Sequence, residues 1–262
     1  MYPRLRFSEC LHDRPTPTGI DVLCKLQHFA IVTYAIPPER LSRLIPPRFR
    51  LDCVNIGANE RALMSVVPFI DIDFTAACFP FPKFTMGQTN YRVYVIDTQT
   101  EERCVWFLGT TLDSWTVMVP RLYWNLPWHP GTVSFDCEQD ATSGRYLRYR
   151  MQTKASWGPA SLELAQPNDL EICSDGFPDQ ETALVYLTHP LAGFYHRRDG
   201  KLGTYRVWHS RLMVSAAQLV SANFGLLSRL GLVSVEEQQH PHSVLLEPIS
   251  EFTIYLPPRV LK

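Results

Sequence analysis

The chain has 262 residues with nearly balanced charge, 25 Lys and Arg against 26 Asp and Glu, and a formal net charge of -1. Binding to a nucleic-acid backbone requires a basic face, so this balance argues against a nucleic-acid partner. The seven cysteines are scattered singly without a CxxC pair, which predicts reduced thiols in a cytoplasmic protein and no disulfide framework.

The N-terminal residues 1–20 contain no apolar segment of the kind that a secretory signal requires, and they are expected to form a loosely attached arm. Residues 21–262 contain no linker-like segment that would divide them. They are therefore expected to form one domain, since domains built mainly from antiparallel strands often exceed 200 residues.

The first half of the chain is rich in strand signals. Its residue patterns predict a strand over 26–35, a short helix over 39–45, a strand pair over 48–56 and 61–70, and a long loop over 72–85.

The clearest alternation lies in residues 89–98. It places Tyr91 and Val93 on one face of a strand and Arg92 and Tyr94 on the other. An arginine with aromatic and apolar neighbours on its own face is not expected to point simply into water. The apolar run over 104–109 is predicted to form a hairpin with this strand.

The second half combines further strands with two or three helices. We expect a helix over 114–123, strands over 132–137, 145–153 and 161–165, a helix from 180 to about 189, a hairpin turn at 198–201, a helix over 214–230 and a last strand over 251–256. The whole pattern predicts an α+β domain dominated by an antiparallel, closed sheet.

Residues 212–228 form the longest charge-free apolar stretch with helical character. The stretch is interrupted by Ser215, Gln218, Ser221 and Asn223, and a membrane span needs about 20 predominantly apolar residues. A buried amphipathic helix is therefore expected here, and a membrane partner is not.

The most site-like stretch is 109–136, and above all its centre, PRLYWNLPWH at 120–129. It sets an arginine, Arg121, and a histidine, His129, among aromatic and proline-stiffened positions. This composition is typical of a pocket wall with a few polar anchors.

His129 and His209 each follow a tryptophan and lie near an arginine in the sequence. A neighbouring cation favours the neutral imidazole that a general base requires. A histidine that is merely satisfied by hydrogen bonds within a sheet remains the structural alternative for both.

Three arginines, Arg92, Arg121 and Arg206, are the first candidates for binding an anion. Arginine holds a carboxylate bidentately, and a guanidinium on an apolar face needs an anion to offset its desolvation. That anion is either a ligand carboxylate or an internal Asp or Glu, and the sequence leaves both open.

Several catalytic motifs are absent from the sequence. There is no GxSxG elbow, GxxxxGK[ST] phosphate loop, GxGxxG fingerprint, HExxH or CxxC. His240-Pro241-His242 lacks a spaced third ligand and is interpreted as a surface loop. No metal, nucleotide or other cofactor is expected.

A set of short motifs resembles the YqjF-like branch of the acetoacetate decarboxylase-like superfamily. They are Pro46-Pro47-Arg48-Phe49, Val66-Val67-Pro68-Phe69, Asn90-Tyr91-Arg92-Val93-Tyr94-Val95, Arg121-Leu122-Tyr123-Trp124-Asn125-Leu126-Pro127-Trp128, Tyr205-Arg206-Val207-Trp208-His209 and Phe252-Thr253-Ile254-Tyr255-Leu256-Pro257-Pro258-Arg259. The resemblance implies a cone-shaped, mainly antiparallel β-barrel with a few external helices and an apolar cavity inside.

The resemblance also shows where this chain departs from the decarboxylase. Arg121 and Pro127 match its motif, but Trp128 and His129 stand where it has two adjacent lysines, one of which forms the Schiff base. Gln88 stands where the family pattern implies a carboxylate, and an amide cannot act as a base. Schiff-base chemistry is therefore not expected, and acid-base work would fall to His129.

The sequence thus predicts a protein that binds a small, apolar organic acid or carbonyl compound, and that would act, if it is an enzyme, as a lyase or hydrolase. His129 is the candidate catalytic residue, and the candidate ligand-binding residues are Arg92, Arg121, Tyr94, Trp128, Gln88, Arg206 and His209. The alternatives are a non-catalytic carrier, sensor or assembly factor, or a membrane-peripheral protein that handles a lipid, pigment or isoprenoid. The oligomeric state, including a homo-oligomer, is left open.

Overall fold

The computed structural model describes residues 2–114 and 118–261, and for residues 118–120 it describes the backbone alone. The strands are β1 (Val22–Ile36), β2 (Phe49–Leu51), β3 (Cys53–Ile56), β4 (Asn59–Ala76), β5 (Phe79–Asp97), β6 (Glu102–Leu112), β7 (Trp128–Pro130), β8 (Thr132–Gln139), β9 (Tyr146–Lys154), β10 (Ala160–Ala165), β11 (Ala192–His196), β12 (Leu202–Trp208), β13 (Ser215–Ala216), β14 (Gln218–Phe224) and β15 (Ser243–Val260). The helices are α1 (Phe7–Cys10), α2 (Pro38–Ser42), α3 (Met118–Tyr123), α4 (Gln180–Thr188) and α5 (Gly225–Arg229).

Seven of the described strands close into a barrel, in the order β5-β4-β1-β15-β12-β11-β6, with β6 pairing back to β5. Every neighbouring pair in this ring is antiparallel except β11 beside β6, which is parallel. The predicted fold, a mainly antiparallel closed barrel with a few helices outside it, is confirmed.

A second, antiparallel sheet, in the order β14-β10-β9-β8, covers one side of the barrel. Tyr91 and Val93 of β5 belong to the same buried cluster as Tyr149 and Met151 of this sheet. The opposite face of β5 sends Tyr94 into a different cluster, which also contains barrel residues of β1 and β4. The alternation predicted for β5 is therefore confirmed.

Helix α4 begins at the predicted place. The Asp179 carboxylate accepts a hydrogen bond of 2.8 Å from the backbone N–H of Thr182, which satisfies a free donor in the first turn. The N-terminal residues lie against this helix, since Arg6 forms ion pairs of 2.9 Å with Asp179 and 2.8 Å with Glu181. The division into an arm and one domain stays a prediction.

The predicted loop over 72–85 is wrong, because these residues extend β4 and β5 into a long hairpin. Phe74 pairs with Phe84, and Ala76 pairs with Phe79 at the tip. The irregular sequence pattern reflects register shifts on both sides of Phe74, which break the alternation without ending the pairing.

The predicted helix over 214–230 is also wrong. Ser215 and Ala216 pair with β15, and residues 218–224 pair with β10. Only Gly225–Arg229 is helical in this segment. The buried Ala222 and Phe224 are two residues apart, which is strand spacing. Sheet pairing partners outweighed the apparent helical pattern.

The predicted helix over 114–123 is confirmed for Met118–Tyr123, whereas residues 115–117 lie outside the described part of the chain. None of the described helices is long and apolar enough to cross a membrane.

Candidate functional site

A cavity of about 450 Å³ occupies the barrel interior. This volume lies within the range of about 300 to 1,000 Å³ that is usual for small-molecule sites. Aromatic and aliphatic side chains dominate its wall, among them Phe29, Val67, Phe69, Val105, Phe107 and Trp128. A few polar side chains also face it, namely Asp71, Gln88, Asn90, Arg92, Thr110, Thr188 and His209.

Arg92 supplies a cation to this wall. One guanidinium nitrogen, Nη2, donates a hydrogen bond of 2.8 Å to the backbone oxygen of Leu187 at the end of α4. The Nε atom is buried and has no hydrogen-bond partner within the described chain. No Asp or Glu of the described residues forms an ion pair with Arg92. The guanidinium is anchored on one side and unpaired on the other.

Tyr94 fixes the position of Arg92. Its hydroxyl donates to the Leu187 oxygen at 3.0 Å and lies 2.9 Å from the Ser65 hydroxyl. Arg92 Nη2 lies 3.3 Å from the same hydroxyl, and its guanidinium lies 5.5 Å from the Tyr94 ring centroid. Tyr94 itself lines a separate, smaller cavity of about 230 Å³. It supports the arginine from behind the main cavity.

His209 lines the main cavity and is almost completely buried. Its Nδ1 lies 2.7 Å from the backbone oxygen of Ser210 and must carry the proton, because a carbonyl can only accept. Burial lowers the pKa of His209 to about 4, and the nearby His189 and Arg92 contribute to the same shift. His209 is therefore neutral near pH 7.

The carboxyl group in the cavity belongs to Asp71 on β4, which the sequence reasoning missed. It is 1% exposed, accepts a hydrogen bond from the Gln88 amide, and also bonds the Cys24 thiol. Burial raises the pKa of Asp71 to about 7, although the bonds from Cys24 and Gln88 act in the opposite direction. Both protonation states are therefore accessible near neutral pH.

A sequence signal for Asp71 did exist. Val67 and Phe69 are apolar residues of the predicted strand 61–70, and Asp71 continues their face at the same spacing of two. The expectation of a loop from residue 72 concealed this continuation. Gln88, singled out because it cannot be a base, is the residue that holds this carboxyl group in place.

Trp128 and His129 do not share a face. Strand β7 pairs in parallel with β6, with Trp128 beside Thr110 and His129 beside Thr111. Successive strand residues point to opposite sides, so Trp128 lines the cavity whereas His129 stacks on Trp157, with ring centroids 4.1 Å apart. Burial, followed by Arg121, Arg198 and Arg229, lowers the pKa of His129 to about 4. The structure does not bring His129 to the cavity wall.

Arg121 and Arg206 also lie away from the cavity. Arg121 Nη1 donates to the backbone oxygen of Trp128 at 3.2 Å, so Arg121 supports the segment that carries Trp128. Arg206 forms a bidentate pair with Glu102, at 2.8 and 2.6 Å, on the outer face of the barrel. This is the internal pairing that the sequence left open. Tyr205, the residue before Arg206, is the one that lines the cavity.

Of the candidate residues, the structure brings Arg92, Gln88, Trp128 and His209 to one cavity. The others, Tyr94, Arg121, Arg206 and His129, lie elsewhere, and a role in binding stays a prediction for all of them. In the described part of the chain, no group of three or more His, Cys, Asp or Glu side chains is placed to hold a metal ion.

The closed barrel with its interior cavity defines an acetoacetate decarboxylase-like fold. The family model DUF2071, described as "Uncharacterized conserved protein (COG2071)", matches residues 24–250. The chain belongs to this family. Membership is consistent with the predicted YqjF-like branch of the acetoacetate decarboxylase-like superfamily, whose fold the barrel shares. A search of the curated proteins gave no match.

Three solved structures illustrate the similarity. The enduracididine biosynthesis enzyme MppR, complexed with pyruvate, is 14% identical with a TM-score of 0.58, over 95% of this chain and 92% of that one. An acetoacetate decarboxylase from Legionella pneumophila is 14% identical with a TM-score of 0.56, over 97% and 94%. An acetoacetate decarboxylase-like enzyme from Sphingomonas wittichii RW1 is 10% identical with a TM-score of 0.57, over 94% of each chain. At these identities the similarity shows the fold alone.

Proposed function

We propose that this protein binds a small, largely apolar organic acid or carbonyl compound inside its barrel and holds the ligand's anionic group at Arg92. The observation that carries the proposal is the unpaired side of the Arg92 guanidinium, whose buried Nε has no partner among the described residues. A partly buried cation without a counter-ion gains from an anionic partner, and a carboxylate matches the geometry of the guanidinium.

The rest of the wall supports an apolar ligand body. Side chains such as Phe69, Phe107 and Trp128 present carbon atoms to the cavity and contribute to affinity through burial of apolar surface. The structural neighbour MppR is complexed with pyruvate, a small carboxylate, and this supports an acid as the ligand of a barrel of this fold.

We propose further that the protein works without a Schiff base. No lysine is among the cavity-lining residues in the described part of the chain. Lys25 lies between Cys24 and Leu26, which both face the cavity, so strand alternation turns Lys25 outward. Lys83 pairs with Asp73 at the exposed end of the hairpin. An iminium intermediate requires a primary amine at the reacting carbon.

If the protein is an enzyme, Asp71 is the group we assign to proton transfer in a lyase or hydrolase reaction. It lies on the cavity wall, and its pKa of about 7 suits both giving and taking a proton at neutral pH. His129 does not reach the cavity, and a pKa of about 4 makes His209 a weak base.

The binding proposal is tested by titration calorimetry with hexanoate, octanoate and 3-phenylpropionate and with the corresponding primary amides. Wild type is expected to prefer each acid to its amide. Arg92→Gln should weaken acid binding about tenfold to a hundredfold, the usual value of a charge-assisted hydrogen bond. Arg206→Gln is the matched control, because it removes an arginine that is paired outside the barrel. Equal affinity of wild type and Arg92→Gln for the acids would refute the proposal that Arg92 binds the carboxylate.

A non-catalytic carrier that meets a membrane is the second candidate. The observation that favours it is the exposure of Phe79 and Phe81, which are 65% and 71% exposed at the tip of the β4-β5 hairpin. Phe74 and Phe84 of the same hairpin line the cavity. In a sedimentation assay with phosphatidylcholine vesicles, a membrane-bound carrier should pellet with the vesicles. The double variant Phe79→Ser/Phe81→Ser should stay in the supernatant. If wild type also stays in the supernatant, this candidate is excluded.

A further inference from the structure

We propose that the ligand has two polar ends: a carboxylate that binds Arg92 and, beyond an apolar spacer, a hydroxyl or carbonyl oxygen that binds the Asp71–Gln88 pair. This inference rests on the proposed function and names its ligand class, an oxygenated medium-chain acid.

The spacing of the two polar ends follows from β5. Gln88, Asn90 and Arg92 all face the cavity, as alternate residues of one strand must. A strand rises about 3.3 Å per residue, so the Cα atoms of Gln88 and Arg92 are about 13 Å apart along the barrel wall. Side chains of a strand stand roughly perpendicular to the sheet, so an acid of only a few atoms is not expected to reach from one group to the other. A medium-chain acid has the required length.

The wall between the two ends is suited to a hydrocarbon spacer. Asn90 lies halfway; its side-chain oxygen accepts a hydrogen bond of 2.7 Å from Thr110, which leaves its amide N–H donors as a polar contact in this zone. On the neighbouring strand β4, Val67 lies opposite Asn90 and Phe69 lies opposite Gln88, and both line the cavity. A ligand that passes this zone meets mainly carbon atoms.

The Asp71–Gln88 pair has hydrogen-bonding capacity left for a ligand. Both residues are more than nine-tenths buried, at 1% and 6% exposure, and both line the cavity. A carboxyl group offers about four acceptor positions and an amide offers two N–H donors and one oxygen. The bonds within the pair and to Cys24 use only part of this set. Polar groups buried beside an apolar cavity gain most from a ligand oxygen that completes their bonds.

The pair can accept either kind of oxygen function. Ionised Asp71 accepts a hydrogen bond from a ligand hydroxyl, and protonated Asp71 donates one to a carbonyl. Gln88 can donate to both through its second N–H. The alternative is that Asp71 and Gln88 only hydrogen-bond each other and bind no ligand. The experiment below separates this structural role from ligand binding.

The test compares plain and hydroxylated acids of equal length by titration calorimetry: octanoate with 8-hydroxyoctanoate, and decanoate with 10-hydroxydecanoate. In wild type, the hydroxy acid of at least one length should bind about tenfold more tightly than the plain acid, although a hydroxyl normally weakens binding in an apolar cavity. The ratio of the two affinities should fall to about one or below in Asp71→Leu. Gln88→Leu provides a second variant should Asp71→Leu fail to fold, and Arg206→Gln should keep the wild-type ratio.

The outcomes separate this inference from the proposed function. If plain acids bind wild type at least as tightly as hydroxy acids at both lengths, or if the advantage persists in the folded variants, the two-ended ligand is overturned. The proposal that Arg92 binds the carboxylate still holds after that result if plain acids bind wild type and if Arg92→Gln lowers their affinity. If no acid binds wild type, both proposals fail together.

Discussion

His129 stacks face to face on Trp157, with ring centroids 4.1 Å apart and ring planes inclined by 3°. The preceding residue, Trp128, points the other way and lines the barrel cavity. In the decarboxylase that the sequence resembles, two adjacent lysines occupy the corresponding positions. Trp128 therefore contributes an apolar surface to the cavity, and His129 contributes to packing between the barrel and the second sheet.

The stack predicts a stability effect for His129. In His129→Ala, the loss of the aromatic pair should lower the free energy of unfolding by about 1 kcal/mol beyond the effect of lost burial. Urea unfolding measures this change. The affinity for octanoate should stay within about twofold of wild type, because His129 faces away from the cavity. A large loss of affinity in a folded His129→Ala protein would place His129 in the ligand site after all.

Asp71 predicts a dependence of stability on pH. Its folded pKa of about 7 is above the unfolded value of about 3.9, so the folded state binds the proton more tightly. The stabilising effect of this proton is complete below about pH 4 and is lost as the pH rises through 7. Asn at this position keeps an oxygen for Gln88 but does not titrate. Relative to Asp71→Asn, wild type should lose on the order of 2–3 kcal/mol of unfolding free energy between pH 5 and pH 8.

The matched control for this measurement is Glu247, another buried carboxyl group whose pKa is raised to about 7 by burial. It titrates in the same window but does not line the cavity. Both proteins contain Glu247, so its contribution cancels when the unfolding free energy of Asp71→Asn is subtracted from that of wild type. Bound octanoate should change the pKa of Asp71 and leave the pKa of Glu247 unchanged. A wild-type minus Asp71→Asn difference that is flat with pH would show that Asp71 has an ordinary pKa.

A side chain at position 109 is expected to disturb the segment of the cavity wall that carries Trp128. A Cβ atom added at Gly109 would lie 2.5 Å from the Trp157 ring and 3.2 Å from the Pro127 oxygen. Gly109→Ala should therefore displace Trp157 or the segment before β7, at a cost of about 1–3 kcal/mol in unfolding free energy. Urea unfolding followed by tryptophan fluorescence would detect the change. Unaltered stability would mean that Trp157 moves aside freely.

The mainly antiparallel sheet could be predicted from the strand patterns of the sequence, and the cone-shaped barrel was implied by the resemblance to acetoacetate decarboxylase-like proteins. In β5, Tyr91 and Val93 lie on the opposite face from Arg92, as the sequence pattern indicated; the structure shows that the first face meets the second sheet and that Arg92 lines the cavity. The segment over 214–230 misled because Leu219 and Ala222 are three residues apart, which is helical spacing. In the structure a register shift in β14 lies between Leu219 and Ser221, and it breaks the strand period of two. Its pairing partners, β10 and β15, are distant in the sequence, and local patterns do not contain them.

Which candidate residues line the cavity could be predicted only in part, for a related reason. Residue type identified Arg92, Gln88 and His209, but the face of each strand decided which candidates reached the cavity. Arg206 and His129 do not reach the cavity, because their neighbours Tyr205 and Trp128 point into it instead. Asp71 was missed because the register shifts beyond it made residues 72–85 look like a loop.

The most direct test of the central claim is a crystal structure of the protein with bound octanoate. We expect the carboxylate within hydrogen-bond distance, about 2.7–3.2 Å, of the Arg92 guanidinium, with the alkyl chain running along β5 toward Gln88. A carboxylate bound at Arg121 or His129, with the barrel interior empty, would contradict it.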